Sequence, residues 1–162
     1  MNYQTTVWHS GSGDRFNFNA VLDQIRDHID SQGKIFIGSD SFITGDDCVF
    51  ATAICLHGAD NQPGGKYFFK RTRHSRKKFT ELLVRILREV QDSVEISLEI
   101  AERFPNADLE IHVDVGTGES NKTNRFVSML TAYAKSSGFS CKVKPYAWAS
   151  ASVADRHSKK YL

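Results

Sequence analysis

The sequence predicts a mixed α/β domain with a five-stranded sheet in the order β-β-β-α-β-α-β-α, helices on both faces and one extra helix ahead of it. Three observations carry this expectation. Three apolar runs in the first half are separated by short, turn-forming loops of hairpin length. A long amphipathic segment follows, and short apolar strands then alternate with helical periodicity to the end of the chain. At 162 residues the chain fits one compact unit, with residues 1–33 expected as an N-terminal extension carrying one helix packed on a core of residues 34–162.

After a polar start and the turn-rich Ser10-Gly11-Ser12-Gly13, residues 19–31 place Val21, Leu22, Ile25 and Ile29 at helical spacing, with Gly33 as a natural stop. Residues 34–38 form a short apolar run that ends at Ser39-Asp40-Ser41, as expected of a buried strand opening onto a site. Residues 48–57 and 66–70 supply the second and third strands. A long helix is predicted over residues 77–104, closed by Pro105-Asn106. Its main apolar face reads Leu83, Leu87, Val90, Val94, Leu98 and Ala101. A charged stripe, including the i,i+4 pairs Glu81/Arg85 and Arg88/Asp92, is expected to face solvent. A third stripe is apolar except at Glu89 and Ser93. Residues 109–114 alternate as a strand, Gly116-Thr117-Gly118 turns the chain toward an N-cap at Ser120, and Phe126, Val127, Leu130, Tyr133 and Ala134 mark a helix ending at Gly138. A last strand over 140–143 and a terminal helix over 151–159 complete the order.

Within this pattern Asp40, Asp114 and Asp155 stand where a strand or helix should open toward solvent, and Glu89 is the one acid in its stripe. Each has an ordinary reading when taken singly. Asp40 suits a turn or cap, Asp114 an Asx turn and Glu89 a boundary carboxylate, while Asp155 can pair with Lys159 at i+4. Their order along the chain is harder to obtain by accident. Carboxylates brought together without cations are costly unless a divalent metal neutralises them, which points to metal-dependent phosphoryl transfer.

Ile37-Gly38-Ser39-Asp40-Ser41, Arg88-Glu89-Val90, His112-Val113-Asp114-Val115-Gly116, Ser120-Asn121-Lys122-Thr123 and the run from Lys142 to Asp155 together resemble the ribonuclease-H-like proteins of the YkuK type. The resemblance spans about residues 36–159. It implies that Asp40, Glu89, Asp114 and Asp155 are the catalytic acids and hold two Mg²⁺ or Mn²⁺ ions, with Asp40 bridging them. The expected activity is nuclease cleavage of DNA or RNA. A catalytically silent nucleic-acid-binding module of the same fold is the alternative. His112 and His157 could relay protons, but a structural role is the simpler reading of both.

Formal net charge is only +2, yet Lys66, Lys70, Arg71, Arg73, Arg76, Lys77 and Lys78 fall within thirteen residues that contain no acid. Cations at a helix amino end oppose the macrodipole, so Lys70, Arg71, Arg73, Arg76 and Lys78 are expected to position a phosphate backbone. Asp114-Val115-Gly116-Thr117-Gly118 also resembles the phosphate turn of actin-like ATPases, which need two such domains; as a dinucleotide fingerprint it lacks the third glycine, so no cofactor site is assigned. The three cysteines form no C-x-x-C pair, no stretch approaches a bilayer span, and Met1-Asn2-Tyr3-Gln4 lacks a signal-peptide pattern. The expectation is a reduced, soluble cytoplasmic protein with no membrane partner, for which a dimer is compatible with junction cleavage.

Overall fold

A computed structural model describes residues 2–116 and 124–159. In chain order its elements are β1 (Trp8–Ser10), β2 (Arg15–Phe16), α1 (Phe18–Asp30), β3 (Lys34–Thr44), β4 (Asp47–His57), β5 (Gly65–Ser75) and α2 (Leu82–Arg103). They are followed by β6 (Leu109–His112), α3 (Val127–Ser136), β7 (Ser140–Lys142), a π-helical turn (Ala149–Ala154) and α4 (Asp155–Ser158). Thr117, Gly118, the expected N-cap Ser120 and the Ser120–Thr123 motif lie outside the described residues.

The strands form one mixed sheet in the order β2-β1-β5-β4-β3-β6-β7. The α/β class and the strand-helix alternation agree with the sequence reading. The strand count rises from five to seven because Ser10–Gly13 is the tip of a hairpin, β1–β2, that adds antiparallel to β5. Strands of two and three residues are too short for periodicity to flag. They exist because β5 offers an open edge, which the hairpin covers.

β3, β4 and β5 are each eleven residues long and fully paired, so Arg71 and Arg73 belong to a strand rather than a loop. β6 runs parallel to β3, with Gly38 opposite His112 as the last pair. β3 then continues to Thr44 without a strand partner on that side among the described residues, which leaves a notch beside Ser39–Ser41.

The main core lies between one sheet face and α1, α2 and α3, built on Trp8, Phe18, Ile25, Ile37, Ile54, Ile96, Ile111 and Leu130. Burying each such side chain contributes about 1.5–3 kcal/mol. The other face carries a smaller cluster of Ala53, Cys55 and Phe69 under Ala149 and Ala154. All three cysteines are free.

α2 departs from expectation at two points. It begins at Leu82 after a separate 3-10 turn, Arg76–Lys78, so those cations do not oppose its macrodipole. Its buried seam joins Ile86, Glu89, Ser93, Ile96 and Ile100 of the third stripe to Val90 and Val94 of the expected apolar face, while Leu87 and Leu98 of that face are exposed. Asp92, expected at the solvent side, is buried. At the polar edge of this seam Ser93 bonds Ser39 (2.8 Å), which bonds Thr52 (2.9 Å), and these bonds tie the helix to the sheet. Among the described residues no helix is long and apolar enough to cross a membrane.

Candidate active site

Alternation along β3 sends Ser39 and Ser41 toward α2 and Asp40 toward α4. The notch beside these residues lets carboxylates from both sides of the sheet act on one another. Glu89 comes from the buried seam of α2 and accepts a short hydrogen bond from Ser41 Oγ. Asp114 lies just past the end of β6, where the chain leaves the sheet, and Lys144 Nζ approaches its Oδ1 at 3.0 Å. Asp155 opens α4 and pairs with Lys159 one turn on. Ser158 Oγ, from the same turn, donates to Asp40 Oδ2 at 2.6 Å.

The four acids interact electrostatically. Burial, then the charges of Asp114 and Asp155, push the Asp40 carboxyl up to about 7, against the opposing effects of the Ser158 hydrogen bond and Lys159. Burial and the Asp40 charge, with a further contribution from Asp114, hold Glu89 well above the usual carboxylate range. The Lys159 ammonium is stabilised first by its hydrogen bond to Asp155, and the fields of Asp155, Asp40 and Asp114 all reach it. The carboxylates therefore share one neighbourhood, with the ammonium groups of Lys144 and Lys159 at its rim.

Two further features bear on whether these groups suit a metal ion. Asp114 Oδ1 is buried and accepts no hydrogen bond, since Lys144 approaches it within ion-pair distance but in poor direction. The available donors are hard carboxylate oxygens, the set preferred by Mg²⁺ and Mn²⁺. As the side chains stand, no three His, Cys, Asp or Glu groups among the described residues lie close enough to hold an ion. The residue types and the charge imbalance fit a divalent cation, and ligation requires the carboxylates to close further on it.

A family model for ribonuclease-H-like proteins matches residues 17–159. The chain belongs to the ribonuclease-H-like family. No curated protein and no solved structure matches it. The four acids lie on the first long strand, the long helix, the segment after the next parallel strand and the last helix.

Sequence reasoning missed the groups that hold these acids. Ser41 stands beside Asp40 in Ser-Asp-Ser, and Ser93 interrupts the same stripe as Glu89, so both were visible as polar breaks in buried elements. Nothing local marks Ser158 or Lys144, whose roles depend on long-range contacts. Gly38 is equally specific to the tertiary fold. A Cβ there would lie 2.3 Å from Ser150 N and 2.4 Å from Ala149 C, so the π-helical turn that leads to Asp155 rests directly on the glycine.

Both histidines are structural. His112 is buried, its Nδ1 accepts the Ala149 N–H at 3.0 Å and its Nε2 meets Glu110 at 2.8 Å, which assigns the proton to Nε2. His157 stacks on Phe69 at 3.6 Å and bonds the Tyr67 hydroxyl at 2.9 Å.

The basic residues separate. Arg71 lies in the same cross-strand row as Asp40, through Ala51, on the same face. Arg73 is one pleat repeat farther on and pairs with Asp47 at 2.9 Å. Arg76 and Lys78 are exposed beyond the β3–β4 turn, roughly 14 Å along the strand direction from Asp40. Lys70 does not belong with them. It is 2% exposed and faces α2, opposite Thr52, so alternation takes it off the expected binding surface.

Proposed function

We propose that this ribonuclease-H-like protein is a nuclease that hydrolyses phosphodiester bonds in DNA or RNA with two bound Mg²⁺ or Mn²⁺ ions. The observation that carries the reading is the electrostatic convergence of Asp40, Glu89, Asp114 and Asp155 at the notch. These four residues would hold the ions. The chemistry supplied by such ions when bound is activation of the attacking water and stabilisation of the leaving oxygen. The protein's part is positional. Ser158 and Ser41 hold the Asp40 and Glu89 carboxyls in place, and the His112–Ala149 hydrogen bond ties the turn before Asp155 to the end of β6. Arg71, and beyond it Arg73, Arg76 and Lys78, offer cations to a phosphate backbone, which gives affinity without sequence choice.

One observation favours a second reading, a catalytically silent nucleic-acid-binding module. Lys144 and Lys159 already pair with Asp114 and Asp155, so part of the acidic charge is balanced by the protein itself. The two readings separate on metal. Labelled single-stranded, duplex, hybrid and junction substrates incubated with Mn²⁺ or EDTA, beside Asp40→Asn, should be cut only with metal and only by the unsubstituted protein. Binding without cleavage across that panel would replace the nuclease with the silent module.

A further inference from the structure

Residues 144–149 form a loop that is fixed at both ends to the segment carrying Asp114. At its start the Lys144 N–H donates to Val115 O at 2.9 Å, and at its end the Ala149 N–H donates to His112 Nδ1 at 3.0 Å. The two anchors bracket Asp114 in the chain, so the loop stands beside the acid-bearing notch. What it displays there is aromatic. Ala147 is buried, while Tyr146 is 70% exposed and Trp148 is 37% exposed.

Three other rings hold Trp148, with centroids at 4.9 Å for Phe36, 5.3 Å for His112 and 6.4 Å for His57. Phe36, Gly38 and Asp40 alternate onto one face of β3, and His112 shares that face as the partner of Gly38. Trp148 therefore sits on the Asp40 side of the sheet, its ring fixed by packing and partly open to solvent. Tyr146 is held through its backbone, whose N–H donates to Val143 O at 2.8 Å, and its hydroxyl bonds nothing among the described residues.

The same face carries a cation. Lys142 lies opposite His112 in the parallel β6–β7 pair, is exposed and makes no ion pair among the described residues. Exposed rings beside an unmatched cation suit a single nucleic-acid strand, whose bases stack on the rings while a phosphate meets the ammonium. In a duplex the faces of each base are already covered by its neighbours, so only an unpaired, splayed segment can use such rings. Gly38 and Phe36 lie roughly 7 and 13 Å along β3 from Asp40, a span of about two to four nucleotides at about 3.4 Å each.

We propose that Tyr146 and Trp148 form a stacking platform for unpaired bases a few nucleotides from the phosphate held at the acids, with Lys142 contacting the backbone of the same strand. This rests on the reading of the protein as a nucleic-acid binder and assigns it a substrate class, strands with a single-stranded segment.

The test compares a labelled dT 12-mer with an abasic 12-mer of the same sugar-phosphate backbone, by fluorescence anisotropy in EDTA, with tryptophan emission followed in parallel. Trp8 is fully buried, so quenching by bases reports on Trp148. The dT 12-mer should bind more tightly than the abasic one and quench the emission, and Trp148→Phe should lose the quenching. Tyr146→Ala should weaken dT binding about fivefold or more, as expected for one stacked base, and leave the salt slope unchanged. Lys142→Gln should lower the slope of log K against log salt by about 0.7, as expected for one phosphate contact on a single strand. Tyr133→Ala, an exposed tyrosine lost from α3 on the opposite side of the sheet, should change neither affinity nor slope. If the two 12-mers bind alike, if Tyr146→Ala matches the unsubstituted protein, or if Tyr133→Ala weakens binding equally, the platform has no such role and the nuclease reading stands untouched. Discrimination between the 12-mers without cleavage in Mn²⁺ would keep the platform and assign it to the silent module. If the protein neither binds the dT 12-mer in EDTA nor binds or cuts it in Mn²⁺, the nucleic-acid reading falls and the platform with it.

Discussion

Replacing Asp40 by Asn should stabilise the metal-free protein at alkaline pH. Burial and the neighbouring acids raise the Asp40 carboxyl from 3.8 to about 7. A carboxyl whose folded value lies above its unfolded value favours folding when protonated, and that advantage disappears as pH rises through the folded value. Between about pH 4 and pH 7 the unsubstituted protein therefore loses stability on the order of 4 kcal/mol through this one group. Asn carries no charge to bury and still accepts the Ser158 hydrogen bond, though a neutral acceptor is worth about 1 kcal/mol less than a carboxylate. The net gain for Asp40→Asn at pH 8 is about 3 kcal/mol, or roughly 6–12 °C in Tm for a domain of this size. Thermal melts of both proteins in EDTA at pH 4.5 and pH 8 measure it. The variant should melt higher at pH 8, and the gap should nearly close at pH 4.5. A variant that melts lower at pH 8, or a gap of the same size at both pH values, would refute the account of Asp40 as a buried carboxyl crowded by like charges.

The remaining predictions concern the metal, the scaffold and the binding face. Mn²⁺ should raise the Tm of the unsubstituted protein, by about 2.7 kcal/mol of stability at one hundred times its Kd, and should raise that of Asp40→Asn far less; equal shifts in calorimetric melts would place the ion elsewhere. Lys159→Met removes the ammonium that competes for the same carboxylates, so Mn²⁺ should bind up to about fivefold more tightly by titration calorimetry, the worth of an exposed ion pair. Gly38→Ala sets a methyl against the backbone of Ala149 and Ser150 and should cost about 1–3 kcal/mol in urea unfolding; unchanged stability would mean that the π-helical turn is free to shift. Lys70→Met, buried against α2, should leave the salt slope of nucleic-acid binding unchanged, while Arg71→Gln lowers it.

The parts of this protein that could be read from sequence are those whose signal is local. Alternation in β3 and β6, 3.6-residue periodicity in α1 and hairpin-length loops between the long strands report on backbone geometry that each segment adopts for itself, and they were enough for the α/β class and the order of elements. The positions of Asp114 and Asp155 at element ends, and of Glu89 in an apolar stripe, came from the same patterns, whereas Asp40, expected where its strand ends, lies inside an eleven-residue β3 that runs on to Thr44 because β4 pairs with it along its whole length. Where two surfaces compete, local pattern was not enough. Leu87 and Leu98 are as apolar as the residues that α2 buries, and the face that turns inward is the one whose Ile86, Val90, Val94, Ile96 and Ile100 meet the core and whose Ser93 bonds Ser39. Lys70 and Arg71 are adjacent cations in sequence, yet strand alternation in a sheet covered on both sides puts one in the core and the other beside Asp40. The strands of the hairpin, Trp8–Ser10 and Arg15–Phe16, are too short to show a period, and they pair along the edge of β5. Sequence thus determined the longer strands and helices and which chemistry they carry, since those depend on neighbouring residues. The tertiary structure decided which faces meet and which charges share a site, because these depend on contacts between segments far apart in the chain.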